Sequence, residues 1–219
     1  SSADGLRAYS VGKNLYLLND EGKPQGNPLQ HPSSIGGLLF SPNGKRIAVS
    51  HYNGVSLWWT ASKDSTPTVL EWKGSHLNLC WSPDGKILLS SMQDSALHGW
   101  RLDDRKEMSM EGYASKIRSM EFTAKGKYLA TSGGAMAVCW PFFGGGPWGK
   151  APVTLGGNEA RLVTRVAAHP KDELIAAGYD DGMIILGPLD GRTEMLIHPP
   201  VGTGSAITGM VWNGAGDCL

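Results

Sequence analysis

Leu77-Asn78-Leu79-Cys80-Trp81, then Ser82-Pro83-Asp84-Gly85, then Ile87-Leu88-Leu89-Ser90-Ser91, then Gln93-Asp94-Ser95, then Ala96-Leu97-His98-Gly99-Trp100: this stretch decides how the chain is read. The first segment alternates apolar and polar residues at period two, the pattern of a half-buried strand. Ser82-Pro83-Asp84-Gly85 is a turn, in which proline presets φ and glycine accepts a positive φ. Residues 87–91 form a nearly unbroken apolar run, expected of a strand that packs on both faces. Gln93-Asp94-Ser95 turns the chain again into a third strand, and residues 107–111 read as a more polar fourth.

The same order recurs along the chain. Residues 35–59, 76–101, 117–141 and 163–188 repeat it, and a fifth copy begins at Ile207 and breaks off. The turns are Ser41-Pro42-Asn43-Gly44, Ser82-Pro83-Asp84-Gly85, Thr123-Ala124-Lys125-Gly126, His169-Pro170-Lys171-Asp172 and Asn213-Gly214-Ala215-Gly216. A period in the low forties, with four short strands per unit, is the signature of propeller blades. The second and third strands of the other copies are 47–50 with 55–58, 128–132 with 137–140, and 174–178 with 183–186. Helical periodicity is absent, and 30 glycines and 13 prolines punctuate the chain as in many-stranded proteins.

Composition narrows function. Among 219 residues, 20 basic and 20 acidic side chains give a formal charge of +0, so no basic excess recommends nucleic acid or an anionic membrane. No segment has the length and apolarity of a membrane span, and the N-terminus lacks a signal pattern. Cys80, Cys139 and Cys218 are odd in number. Two of them sit in apolar strand patterns, which favours buried thiols in a reducing compartment; a cytoplasmic location is the expectation.

The expected architecture is all-β: one propeller domain over residues 1–219, with four-stranded antiparallel blades and about five blades' worth of chain. A partial blade covers 1–30, complete blades cover 31–75, 76–112, 113–158 and 159–202, and a partial blade covers 203–219. Residues 6–11, 14–19 and the stretch to Gln30 correspond to second, third and fourth strands; residues 206–212 supply a first strand. Either that strand completes the blade begun at Leu6, closing a five-bladed ring, or further blades come from a longer chain or another segment. The interruption at Leu219 in mid-pattern favours the second reading.

These repeats resemble the WD-repeat family of β-propellers. The resemblance lies in the Phe40-Ser41-Pro42-Asn43-Gly44 and Trp81-Ser82-Pro83-Asp84-Gly85 junctions, in the third-strand tryptophans Trp58, Trp100 and Trp140, and in the Asp94 and Asp180-Asp181-Gly182 turns. The family's Trp-Asp dipeptide is replaced by Trp58-Trp59, Trp100-Arg101, Trp140-Pro141 and Gly187-Pro188, and its Gly-His pair survives as Gln30-His31. Family propellers often link that histidine, a strand hydroxyl, a turn aspartate and the tryptophan. Here one blade approximates the set with His31, Ser50, Asn53 and Trp58, and the others are expected to rely on packing. The resemblance implies a non-catalytic scaffold that needs no cofactor and binds protein or peptide partners through its loops.

One segment stands outside the repeat: Pro141-Phe142-Phe143-Gly144-Gly145-Gly146-Pro147-Trp148-Gly149-Lys150. Large aromatics on a glycine-rich loop mark a contact surface, and Phe and Trp are effective anchors. Phe142, Phe143 and Trp148 are the expected partner-binding anchors, with Lys150 at the rim. The competing reading has Phe142 and Phe143 starting the fourth strand and Trp148 folding onto the blade edge. Trp59 is expected to point opposite Trp58. His31, His51, His76, His98, His169 and His198 show no ligand spacing and read as polar turn residues rather than a metal or catalytic set. Asp180-Asp181-Gly182 reads as turn chemistry, and Gly202-Thr203-Gly204-Ser205 as a connection rather than a phosphate loop. The alternative function is a propeller enzyme, a metal-dependent hydrolase or lactonase with its site at the channel mouth. It requires inward Asp, Glu, Asn or His side chains at equivalent positions of different blades.

Overall fold

A computed structural model describes residues 5–61, 66–157, 160–202 and 204–219. Thr203 of the glycine-rich connection lies outside them. The described chain is all-β and resolves into two compact units, residues 1–109 and 110–219.

In the first unit, β1 (Arg7–Val11), β2 (Asn14–Leu18) and β3 (Leu29–Gln30) form an antiparallel sheet in that order. A six-stranded sheet follows: β4 (Gly37–Phe40), β5 (Arg46–Trp59), β6 (Thr68–Trp81), β7 (Ile87–Met92), β8 (Leu97–Arg101) and β9 (Lys106–Met110). Two repeats share it. β5 carries a second and a third strand, folded back at Asn53 (φ 67°) and Gly54 (φ 153°), and Thr60 N donates to Lys45 O at 3.0 Å to close that hairpin. β6 carries the fourth strand of one repeat and the first of the next, pairing Leu57 with Thr68 and then Cys80 with Leu89. The expected separation into two four-stranded blades is thus bridged, because Tyr52 pairs with Ser75 and the ladder continues through the connection.

In the second unit, β10 (Met120–Phe122), β11 (Tyr128–Thr131), β12 (Ala137–Pro141) and β13 (Val153–Leu155) form one four-stranded sheet. β14 (Val163–Ala168), β15 (Leu174–Tyr179), β16 (Ile184–Pro188) and β17 (Met195–His198) form another. Both are antiparallel with sequential order. Residues 206–212 form no ladder with a described strand, although Ile207 N donates to Tyr179 O of β15 at 2.9 Å. They still dock along β14: Thr164 Oγ1 donates to Ile207 O at 2.7 Å, and Trp212 Nε1 donates to Ala167 O at 3.3 Å.

The turn between first and second strands keeps one hydrogen-bond pattern while its sequence changes. Ser41 N donates to Arg46 O, Ser82 N to Ile87 O, Thr123 N to Tyr128 O, His169 N to Leu174 O and Asn213 N to Cys218 O, all at 2.9 Å. A side-chain acceptor at the first position holds the following amides. Ser82 Oγ accepts from Ile87 N at 2.9 Å, His169 Nδ1 from Asp172 N at 3.0 Å, and Asn213 Oδ1 from Gly216 N at 2.8 Å.

Second strands alternate between two neighbours. Ile47 and Val49 pack with Leu15 of β2 and Trp58, whereas Ala48 packs with Trp81, Leu88 and Trp100 of the next repeat. Ile175 and Ala177 face Ala130, Cys139 and Leu155; Ala176 faces Leu186, Met210 and Trp212. Hydroxyls stitch each repeat to the first strand of the next: Ser50 Oγ donates to Leu77 O, and Ser119 Oγ to Val166 O at 3.2 Å. Gly36 and Gly37 allow this approach, since a Cβ on either would collide with the carbonyl of His76 or Leu77.

The polar links differ from the sequence reading. Trp58 Nε1 does donate to His31 Nε2, at 3.0 Å, but Ser50 is committed to Leu77 and Asn53 Oδ1 to Gly74 N at 3.1 Å. A second repeat completes a relay that was not expected of it. Trp140 Nε1 donates to Tyr113 Oη at 2.6 Å, Tyr113 Oη lies 2.8 Å from Thr131 Oγ1, and Thr131 Oγ1 donates to Val138 O at 2.9 Å. Since the threonine proton goes to Val138, the phenol proton goes to Thr131. Burial pushes the Tyr113 phenol up to about 12, so that proton stays. Tyrosine therefore stands where the first repeat has histidine. In the intervening repeat the Trp100 Nε1 is buried with no partner among the described residues.

The histidines also depart from expectation. His31, His51, His76 and His98 are buried, not turn-exposed: strands carry the last three inward, and His31 directly follows β3. His51 Nε2 lies 2.9 Å from Ser56 Oγ and His76 Nδ1 2.7 Å from Ser90 Oγ. His98 stacks on Trp72 at 3.8 Å, with both ring nitrogens unpartnered among the described residues. Burial lowers the affinity of His31, His76 and His98 for protons, that of His98 to about 4.

Two outcomes are expected. Tyr113→Phe leaves Trp140 and Thr131 without their shared partner and lowers stability by about 1–3 kcal/mol in urea unfolding; an unchanged midpoint would contradict the relay. Because the unfolded imidazoles titrate near their ordinary value of 6.5 and the folded ones lower, the unfolded state takes up protons first. Stability is complete above that value and falls as pH drops toward about 4. His98→Phe should flatten the difference between urea midpoints measured at pH 7.5 and pH 4.5.

Candidate functional site

The segment after β12 is held by its backbone first. Phe142 N donates to Lys127 O at 2.7 Å, which extends the β11–β12 pairing by one residue. That places the Phe142 ring inward, 5% exposed and edge-on to Phe122 at 5.0 Å. Phe142 is a packing residue, and its expected place on the surface is corrected on that ground. The next residue points the other way: Phe143 is 49% exposed, with its ring edge-on to Tyr128 at 5.8 Å.

Three glycines, Gly144, Gly145 and Gly146, then turn the chain at φ 73°, 91° and 154°, a sequence of positive values that L side chains rarely adopt. The half-buried Trp148 ring lies against Gly146, so closely that no Cβ fits there. Trp148 thus folds back on its own loop, and the fourth strand starts later, at β13. Lys150 closes the loop: its ammonium donates to Phe143 O and to Gly146 O, and lies 4.5 Å from the Phe143 ring centroid. The cation–π contact and two carbonyl bonds hold the Phe143 ring in place without covering it.

Phe143 forms part of an open groove of about 1250 Å³. Lys127 and Tyr128 lie beside it. Asp172, Glu173 and Leu174 come from the turn into β15, and Leu189, Asp190, Arg192 and Met195 come from the turn between β16 and β17. Neither of these latter walls was anticipated from the sequence. The residues stand far from the aromatic loop in the chain, and the one local signal was an apolar Met195-Leu196-Ile197 run in an otherwise polar fourth-strand position. All three are exposed, at 53%, 60% and 49%. The other outer strands instead tuck Leu70, Met108 and Leu155 inward.

The groove's charges are unevenly matched. Arg192 Nε reaches Asp190 Oδ2 at 2.8 Å and keeps that carboxyl below the usual range. Glu173 Oε2 is enclosed without a partner among the described residues. Elsewhere, Asp180 and Asp181 serve their turn: Asp180 Oδ1 accepts from Leu162 N at 3.1 Å, Asp181 Oδ1 from Met183 N at 3.1 Å, and Arg161 pairs with Asp181. Trp59 does oppose Trp58, lying 46% exposed under the Arg46 guanidinium at 4.4 Å.

Comparison with known proteins agrees with the blade geometry. The family described as "WD domain, G-beta repeat" matches residues 149–186, which run from β13 through β16. Residues 149–186 thus carry a WD repeat. It is 28% identical over 133 residues to the meiotic recombination protein rec14 of Schizosaccharomyces pombe, covering 58% of this chain and 44% of that protein. It is 31% identical over 114 residues to the small ribosomal subunit protein RACK1 of Drosophila melanogaster, covering 46% and 35%. It is 27% identical over 109 residues to the chromatin assembly factor 1 subunit FAS2 homolog of Oryza sativa subsp. japonica, covering 46% and 22%. The chain spans less than half the length of each of these relatives.

The two adjacent phenylalanines should separate in a stability assay. Phe142→Ala removes a buried ring and is expected to cost about 3 kcal/mol, while Phe143→Ala should stay within about 0.5 kcal/mol of the parent. Equal losses in chemical unfolding would contradict the opposed orientations.

Proposed function

We propose that this WD-repeat chain is a non-catalytic scaffold that binds a protein or peptide partner in the groove beside Phe143. The observation that carries the reading is the state of that ring: a large aromatic, half exposed, fixed from behind by Lys150 and open toward a concavity lined by Leu174, Leu189 and Met195. A side chain already held in its bound position loses little freedom on association, which is how a rigid loop becomes an affinity anchor. Trp148 and Lys150 act as supports, the first by closing the loop over Gly146 and the second by clamping it. The buried thiols Cys80 and Cys139 suit a reducing compartment such as the cytoplasm. The relatives' names, a ribosomal subunit protein and a chromatin assembly factor subunit among them, place their bearers in macromolecular assemblies, which supports a protein-binding role here.

The test is capture from source lysate with the parent chain and with Phe143→Ser/Met195→Ser. Phe142 is left intact because its loss would unfold the edge of the sheet. A protein retained by the parent and at least about tenfold depleted with the variant supports the reading; equal retention removes the groove as the site.

A further inference from the structure

We propose that the groove recognises a peptide segment through a lysine or arginine set beside a large apolar side chain; this rests on the scaffold reading above. Five charged residues line the groove: Lys127, Asp172, Glu173, Asp190 and Arg192. Asp190 and Arg192 satisfy each other through two contacts, at 3.0 and 2.8 Å. The neighbouring carboxylates Asp172 and Glu173 have no such partner. Asp172 Oδ2 does lie 3.3 Å from His169 Nδ1, but that nitrogen already accepts from Lys171 N at 3.3 Å and from Asp172 N at 3.0 Å. The proton of this imidazole therefore sits on Nε2, where it is donated to Gly216 O at 2.8 Å. The contact is between a carboxylate and a lone pair, and no ion pair forms. Glu173 Oε2 is enclosed and unpartnered among the described residues, and Lys127 Nζ makes no ion pair with any described carboxylate.

Two adjacent carboxylates without a cation thus stand next to Phe143, Leu174 and Met195. The Asp172 side chain is 75% exposed and open to an incoming cation, and the adjacent Glu173 adds a second negative charge. The apolar wall meanwhile takes a neighbouring hydrophobic side chain. Arginine matches best, since its planar fork pairs with carboxylates through two bonds. Three carboxylates against two cations leave the groove one negative charge in excess, which disfavours an acidic segment or a nucleic-acid backbone.

The experiment pans a phage library of random 12-residue peptides against the whole 219-residue chain, in parallel with Asp172→Asn/Glu173→Gln and with Phe143→Ala. Both amide substitutions keep side-chain shape and remove charge, and unchanged melting of the variant confirms its fold. The parent should enrich Lys or Arg next to Leu, Ile, Phe or Met. A synthetic peptide from that set should lose about tenfold in affinity when its basic residue becomes glutamine, and by a similar factor on the double variant. Enriched peptides without a basic residue, binding indifferent to the double variant, self-association of the chain through the groove, or no enrichment would each overturn the proposal. Peptides that depend on Phe143 but not on the carboxylates would overturn it while leaving the scaffold reading in place.

Discussion

Every sheet here is too thin to hold a core of its own. A second strand such as β5 or β15 is apolar on both faces, and alternation sends Ile47 and Val49 one way and Ala48 the other. Such a strand is stable only when a sheet covers each side, which is the reason the unit recurs. Size follows from the same constraint: small Ala48 meets Trp81 and Trp100, and small Ala176 meets Leu186 and Trp212, so a bulky neighbour fills the space each small residue leaves.

Once packing is supplied by repetition, the polar devices are free to vary. The turn hydrogen-bond scheme survives replacement of serine by threonine, histidine or asparagine, because what it needs is a short side-chain acceptor aimed at the amides that follow. The tryptophan of the third strand behaves likewise. Trp58 finds a histidine and Trp140 a tyrosine, while Trp100 is kept in place by rings, including His98 at 4.7 Å. Burial of His31, His76 and His98 is the cost of this freedom: it lowers their affinity for protons, which ties the first unit's stability to pH.

The groove shows how a functional surface arises from the same construction. One strand continues a single residue beyond its ladder, which buries Phe142 and turns out Phe143. Glycines then return the chain so that Lys150 can hold the exposed ring. The opposite walls come from turns of the next repeat, which meet Phe143 because the two sheets pack face to face through Cys139, Leu155, Ile175 and Ala177. A partner would meet a surface that is already shaped.

Much of this was legible in the residues themselves. Period-two alternation around Leu79, the unbroken run from Ile87 to Ser91 and the repeated turn sequences determine strand order and the all-β class, because each is a local consequence of chain geometry. The opposed faces of Trp58 and Trp59 follow from the same periodicity. Tertiary structure alone decided which of two adjacent phenylalanines is core, that Tyr113 serves where a histidine was sought, that His31, His51, His76 and His98 lie inside, and that Asp172 and Glu173 face Phe143. The physical reason is common to all four. Local pattern specifies which way a side chain points from its own strand, but a hydrogen-bond partner, a burying neighbour or the far wall of a groove is supplied by another segment, 27 residues away for Trp140 and Tyr113, and only packing brings the two together.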